Sequence, residues 1–168
     1  GASRWYCYRS LEEIKEKETT IHSKDGRTAV FIKGGKIIPK KVQLRRSSKL
    51  MKSDPLQLII AVDHNNKASG EVYIDDGCTF NYETSKEYIN TIFEFDGKTL
   101  TSNNRNKQID QKLAVTIDRI SITGLAKMPT KVHDKNGQIY TFTIENNILI
   151  VNRLGISINT DFELYFDY

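Results

Sequence analysis

Cysteine is scarce in this sequence and long apolar runs are absent, and each of these features excludes a class of protein. The two cysteines, Cys7 and Cys78, are too few for a disulfide framework and lack the spacing of metal ligands. We expect two separate thiols rather than a Cys7–Cys78 bridge, and we predict no metal and no cofactor. No window approaches the roughly 18 consecutive apolar residues that a membrane-spanning helix needs. The sequence therefore indicates neither a disulfide-stapled mini-domain nor a membrane protein.

Motifs for catalysis are missing as well. The chain contains no glycine-rich phosphate loop, no Gly-x-Ser-x-Gly elbow and no His-Glu-x-x-His zinc motif. Asp75 and Asp76 invite a comparison with glycosidases, which place two carboxylates about 5–5.5 Å apart across one bond when they retain configuration. Neighbouring residues of a strand point to opposite faces, so these two cannot converge on one substrate. We assign Asp75, Asp76 and Gly77 to a structural turn and assign no catalytic residue.

Short alternating strands separated by turns make up most of the sequence. Its 168 residues, 38% of them hydrophobic, suffice for one large or two small domains. The stretch from Leu56 to Val62 is apolar at nearly every position, which predicts a strand buried on both faces. The parity of the apolar positions changes between Ile117 and Ile120, which predicts a β-bulge or a break near Asp118-Arg119. With turns every eight to twelve residues or so and no ordinary amphipathic helix, the pattern predicts an all-β, β-sandwich protein.

The segment from Gly70 to Tyr82, GEVYIDDGCTFNY, has the pattern of a β-hairpin. Its residues alternate up to Asp75, and Asp76-Gly77 supplies types that tolerate positive φ in a tight turn. We expect residues 78–82 to return antiparallel to residues 70–75. Similar turn signals occur at Asp96-Gly97 and Asn146-Asn147, and a further strand is predicted at residues 19–23.

Positive charge is concentrated between residues 36 and 52. This stretch holds seven basic residues and no acidic one: Lys36, Lys40, Lys41, Arg45, Arg46, Lys49 and Lys52. A nucleic-acid reader needs such clustered cations for phosphate contacts. The stacking aromatics that single-strand binders interleave are absent from this run. We favour a solvated basic connector and no nucleic-acid partner, with a nucleic-acid contact as the alternative.

Several stretches, in order along the chain, resemble the α-glucosidases of glycoside hydrolase family 31. GEVYIDDGCTFNY, residues 70–82, resembles the family segment GELYxDDGxTFxY. Trp5-Tyr6 resembles a WYD that opens a strand after the catalytic barrel, and VFIKGGKIIP, residues 30–39, resembles VFxRGGxIxP. LRRSSKLMKSDPLQLIIAVD, residues 44–63, resembles a stretch found in the branch that processes N-glycans. LGISIN, residues 154–159, is similar to the segment before the last strand. The resemblance covers the whole chain.

The resemblance implies an architecture and a role. In that family a (β/α)8 barrel is followed by a proximal and a distal β-sandwich. Residues 1–54 would be the later strands of the proximal sandwich, and residues 55–168 the distal one. Both catalytic carboxylates of the family lie in the barrel, in motifs that do not occur here. The implied role is that of the non-catalytic C-terminal region of a retaining α-glucosidase that trims glucose from N-glycans in the endoplasmic reticulum lumen.

The resemblance also implies partners. The partners would be the enzyme's own catalytic barrel and a non-catalytic β subunit, which we expect this region to help dock. The residues expected to make interdomain contacts are Trp5, Tyr6, Lys33, Gly34 and Gly35. The chain departs from the family at three positions, with Cys7 in place of Asp, Lys33 in place of Arg, and Cys78 in place of the processing branch's His.

A carbohydrate-binding module is the alternative function. The apolar face of a tyrosine or tryptophan ring suits the face of a pyranose, and the chain has eight tyrosines and one tryptophan. Exposed rings would then hold glycan on the surface of the sandwich. Core and rim positions are the other interpretation of the same residues.

Overall fold

The computed structural model describes residues 3–15, Gly26, residues 28–106 and residues 115–168. Within these ranges the regular structure consists of thirteen strands, one short α-helix, α1 (Asn81–Thr84), and one 3₁₀ turn (Ser48–Met51). The all-β prediction is confirmed, whereas the strand predicted at residues 19–23 lies outside the described residues. The strands are β1 (Trp5–Cys7), β2 (Phe31–Lys33), β3 (Lys36–Lys41), β4 (Leu56–Ala61), β5 (Ala68–Ile74), β6 (Ile89–Phe95), β7 (Thr99–Asn104), β8 (Thr116–Thr123), β9 (Lys131–Asp134), β10 (Ile139–Tyr140), β11 (Phe142–Glu145), β12 (Ile148–Ser157) and β13 (Glu163–Asp167).

Eleven of these strands form one hydrogen-bonded order, and β1 and β2 pair separately. The order is β10-β9-β13-β7-β6-β5-β3-β4-β8-β12-β11. Pairing is antiparallel except between β4 and β8 and at one position between β3 and β5. The two halves of the order share one core, since Phe93 and Leu164 from one half pack with Leu58, Ile122 and Leu149 from the other. This is a sandwich, as the sequence predicts.

Strand β4 is buried at every position, which confirms the prediction of a strand covered on both faces. Leu58 and Ile60 face the main core. Ile59 and Ala61 point the opposite way and pack against a second cluster that contains Tyr6 and Ile32. The β1–β2 pair therefore lies as an extra layer on the outer face of the main sheet.

The predicted irregularity in β8 is present. Leu56 of β4 pairs with Ile117, but the next residue of β4, Gln57, pairs with Arg119. Asp118 is thus an extra residue on β8, which confirms the expected bulge and explains the change of parity. The turn at Asn146 and Asn147 is also as expected, since both residues have positive φ, 49° and 63°, between the paired strands β11 and β12.

The central hairpin exists but has a different return strand. Strand β5 pairs antiparallel with β6, with Ile74 opposite Ile89, so the prediction that residues 78–82 run back along β5 is wrong. The intervening residues form a bend and helix α1 instead. The physical reason is local: the Asp76 carboxylate accepts the backbone N–H groups of Cys78 and Thr79, which curls the chain before it can extend.

The basic run is not a simple connector. Lys36, Lys40 and Lys41 lie in strand β3, which pairs along its length with β4, so the connector interpretation is wrong for these residues. The β3–β4 pair also spans residue 54, where the sequence places a boundary between two sandwiches. Further along the run, Arg45 forms an ion pair with the buried Asp54 at 2.7 Å. The division of the chain at residues 54 and 55 stays a prediction.

Candidate functional site

A charged clamp joins the β1–β2 layer to the main sheet. The guanidinium group of Arg4 donates two hydrogen bonds of 2.7 Å to the two carboxylate oxygens of Glu13. The same group donates to the carbonyl oxygen of Gly124 at 2.8 Å and to that of Asp63 at 3.2 Å. The hydrogen bond from Arg4 holds the pKa of the Glu13 carboxyl below its ordinary value. Arg4 therefore stays paired and ties three separate chain segments together.

Tyr6 forms the buried part of this clamp. Its side chain is fully buried, and its hydroxyl donates a hydrogen bond of 2.7 Å to the carbonyl oxygen of Val62. Burial raises the pKa of Tyr6 to about 12. The hydroxyl group sits against the bare backbone of Gly124, which has a φ of +86° and is a position where a Cβ atom would overlap Tyr6. The residue type at position 124 thus decides whether Tyr6 fits.

Gly34 and Gly35 allow the chain to pass from β2 to β3 against this clamp. The N–H of Gly34 donates to the carbonyl oxygen of Arg4 at 2.8 Å, and the N–H of Gly35 donates to that of Ala61 at 2.7 Å. A Cβ atom on Gly34 would lie 3.0 Å from both Arg4 Cβ and the Val62 carbonyl oxygen, which is too close for ordinary packing. Both glycines therefore serve contacts within this chain.

The structure separates the residues expected to contact a neighbouring domain into two groups. Tyr6, Gly34 and Gly35 hold the β1–β2 layer in place from inside. Trp5 and Lys33 pair directly in register on the opposite, outward face of that layer, where Trp5 is 45% exposed. We call this surface the β1–β2 outer face. Trp5 and Lys33 are the two residues of the group that remain available to another domain.

The turn residues Asp75, Asp76 and Gly77 lie at the far end of β5. Asp75 accepts the N–H of Gly77 at 2.8 Å, and Asp76 accepts the N–H groups of Cys78 and Thr79 at 3.0 and 2.9 Å. These bonds, the one from Thr79 foremost, lower the pKa of Asp76 to about 2. Both carboxylates are occupied by their own loop, which is an arrangement for shaping a turn.

Sequence reasoning missed Arg4, Glu13 and Gly124. Glu13 forms an isolated β-bridge with Tyr6 and an ion pair with Arg4. Arg4 and Gly124 are separated by 120 positions. No local pattern connects residues so far apart, so no signal in a single sequence points to this clamp.

Other chemistry has little support in the described part of the chain. There, no group of three or more His, Cys, Asp and Glu side chains is placed to hold a metal ion. Cys7 and Cys78 are separate free thiols, as expected. Among the described residues, no helix has the length and apolar character needed to cross a bilayer.

Comparison with known proteins gives matches over nearly the whole chain. No protein-family model matches it. Neutral alpha-glucosidase AB of Sus scrofa is 34% identical over 171 residues, which cover 96% of this chain but 18% of that protein. A crystal structure of ER glucosidase II, a complex of the catalytic subunit and the binding domain of the regulatory subunit, matches with a TM-score of 0.80 and 26% identity. That match covers 98% of this chain and 20% of the other.

A more distant structure shows how widely the fold is shared. The family 31 dextranase of Flavobacterium johnsoniae has a TM-score of 0.70 at 15% identity, which concerns the fold alone. The fold and the matches together place the chain among relatives of the family 31 α-glucosidases, so the resemblance found in the sequence is confirmed. Within that group the similarity is to the alpha subunit of glucosidase II. The chain spans about a fifth of the length of the relatives it matches.

Proposed function

We propose that this chain is the non-catalytic C-terminal β-sandwich region of a glucosidase II-like α-glucosidase. Its role is to support the catalytic barrel. The observation that carries the proposal is the coverage: 96% of this chain aligns with only 18% of a neutral alpha-glucosidase. The chain also contains no motif for either catalytic carboxylate. In this proposal residues 1–54 belong to a proximal sandwich and residues 55–168 to a distal one.

The β1–β2 outer face is the surface that we assign to the barrel. Trp5 and Lys33 lie side by side on it, and Phe31, two residues from Lys33, is 39% exposed on the same side. An exposed tryptophan beside an exposed phenylalanine is the kind of apolar surface that another domain covers. The Arg4–Glu13 ion pair and the buried Tyr6 hold this face in a fixed position relative to the main sheet.

The parent protein would work in the endoplasmic reticulum lumen and trim glucose from N-glycans, together with a non-catalytic β subunit that this region helps to dock. The support is the similarity to a catalytic subunit that was crystallised with the binding domain of its regulatory subunit.

A chimera tests the supporting role. This chain replaces the matching segment of the Sus scrofa neutral alpha-glucosidase, and hydrolysis of p-nitrophenyl α-glucoside and the melting temperature are measured. We expect a soluble, active chimera, whereas deletion of the segment gives an inactive or insoluble protein. Adding Trp5→Ala and Lys33→Ala is expected to lower the melting temperature of the chimera by several degrees, because a domain contact is lost.

The matched control for the chimera is Ile139→Ala. Ile139 is more exposed than Trp5, at 64%, and lies on β10, which is an end strand of the eleven-strand order and does not pair with the β1–β2 layer. We expect Ile139→Ala to leave both the activity and the melting temperature of the chimera unchanged. Equal effects of the Trp5/Lys33 and Ile139 variants would contradict the assignment of the β1–β2 outer face.

The isolated 168-residue chain tests the absence of catalysis. We expect no release of p-nitrophenol from its α-glucoside above the buffer rate. Measurable release that disappears in Asp75→Asn or Asp76→Asn protein would overturn the non-catalytic role.

A further inference from the structure

The outer face of strands β5 and β6 carries an aromatic pair that has no part in the proposed function. Tyr73 of β5 lies directly opposite Asn90 of β6. The Tyr73 ring stacks on the ring of Tyr88, with centroids 5.4 Å apart and planes inclined by 24°. Tyr73 is nevertheless 51% exposed. The pair is therefore a rigid aromatic surface with one ring open to a ligand.

Residues with planar polar side chains are neighbours of Tyr73 in the sheet. Glu71 is exposed one step along β5 on the same face, and Asn90 pairs across from Tyr73. The side-chain oxygen of Asn90 is buried, and within the described ranges nothing donates a hydrogen bond to it. Arg105 follows β7, its backbone N–H donates to the carbonyl oxygen of Asn90 at 2.7 Å, and the residue lines the adjoining groove. Carboxylate, amide and guanidinium groups can each bond two neighbouring hydroxyls.

A groove continues from this surface toward the β1–β2 layer. It has a volume of about 580 Å³, within the usual range for small-ligand sites. Its apolar lining includes Phe31 and Ile92, and its charged lining is of both signs, namely Lys33, Lys36, Arg105, Glu71 and Glu94. Phe31 and Lys33 also belong to the β1–β2 outer face, so the groove borders the surface assigned to the barrel. Ile92 and Glu71 are themselves a register pair next to Tyr73 and Asn90, so the groove and the aromatic pair form one surface.

We propose that this surface binds a neutral hexose oligosaccharide. One sugar ring lies on the open face of Tyr73, since the apolar C–H face of a pyranose suits an aromatic ring. The next residue of the sugar lies in the groove, where Glu71 and Arg105 bond its hydroxyls. Three cationic residues and two acidic ones line the groove, so it offers no field of a single sign to select a polyanion. The ligand is thus uncharged and rich in hydroxyls.

Nuclear magnetic resonance of the ¹⁵N-labelled chain tests this proposal. Maltotriose, isomaltotriose and mannotriose are titrated separately, and a short single-stranded DNA serves as the anionic probe. We expect saturable shifts of backbone amides in β5, β6 and Arg105 with at least one sugar. Tyr73→Ala is expected to weaken that sugar about tenfold through loss of the stack, and Tyr73→Phe by no more than about twofold because the ring remains.

Tyr165→Ala is the matched control. Tyr165 stacks on His133 with a centroid distance of 5.4 Å and an angle of 23°, but it lies on β13. We expect it to leave sugar binding unchanged. Glu71→Ala is an exposed change that spares the aromatic pair, and it is expected to weaken sugar binding several-fold. It takes the place of Tyr73→Ala as the test if that variant fails to fold. The proposal is overturned if no sugar shifts these amides, if Tyr165→Ala weakens binding as much as Tyr73→Ala does, or if DNA alone binds this face.

Discussion

Tyr6 and Gly124 fit together as a side chain and the gap that receives it. The Tyr6 hydroxyl overlaps the place that a Cβ atom of residue 124 would occupy. Gly124 also has a φ of +86°, a backbone conformation that residues other than glycine rarely adopt. Through this contact β1, near the start of the chain, is held against the end of β8. The fit fixes the position of the β1–β2 layer, and with it the direction in which Trp5 and Lys33 face.

Gly124→Ala is therefore expected to destabilise the fold strongly. The new methyl group displaces Tyr6 from its hydrogen bond and adds left-handed strain, for a total of about 2–4 kcal/mol. Gly137→Ala is the control, since Gly137 has nearly the same φ, +84°, but nothing within 4 Å of its Cβ position. Gly137→Ala is expected to lower the free energy of unfolding, measured in urea, by about 1 kcal/mol. Equal losses in the two variants would show that the Tyr6 contact does not matter.

The Tyr6 hydroxyl is expected to make stability depend on alkaline pH. The folded protein keeps the Tyr6 proton to a pKa of about 12, against 10.0 for the free side chain. The folded state thus binds more protons between these values, and this part of the stability, complete below pH 10, is lost as the pH rises toward 12. Tyr6→Phe should flatten that loss and cost about 1 kcal/mol at neutral pH. Identical alkaline curves for both proteins in thermal unfolding would contradict this.

The Arg4–Glu13 pair is expected to stabilise the junction as a coupled unit. Arg4→Ala should lower the free energy of unfolding by about 2 kcal/mol, because it also removes hydrogen bonds to two backbone carbonyls. Glu13→Ala should cost less. A double-mutant cycle, measured by urea unfolding, should give a coupling energy of about 1 kcal/mol. Additive single effects would mean that the two side chains act independently.

Asp76 is expected to contribute stability that acid removes. Its folded pKa is about 2 against 3.8 for the free side chain, so the contribution is present above pH 3.8 and is lost as the pH falls toward 2. Asp76→Ala should remove this dependence from the urea midpoint. Asp75→Ala is the comparison, because Asp75 accepts one backbone N–H where Asp76 accepts two. An acid limb that persists unchanged in Asp76→Ala would contradict the assignment.

Local patterns account for much of what could be predicted about the fold. The apolar run of β4, the parity change at Asp118 and the turn at Asn146 and Asn147 all involve neighbouring residues, and all three are confirmed. The return strand of the central hairpin was predicted wrongly. Its sequence alternates like a strand, but the side chain of Asp76 binds the backbone first and bends the chain away.

The amino-acid sequence by itself determined the all-β class, the position of most turns and the likeness to family 31 α-glucosidases. Each of these follows from order along the chain, because strand alternation, turn chemistry and motif wording are local properties. The clamp of Arg4, Glu13 and Gly124 and the aromatic surface around Tyr73 were decided by tertiary structure alone. Arg4 meets Gly124 across 120 positions, and Tyr73 meets Tyr88 only because β5 and β6 pair in one register. Contacts of that kind depend on which strands lie side by side, and strand pairing is a property of the whole folded chain.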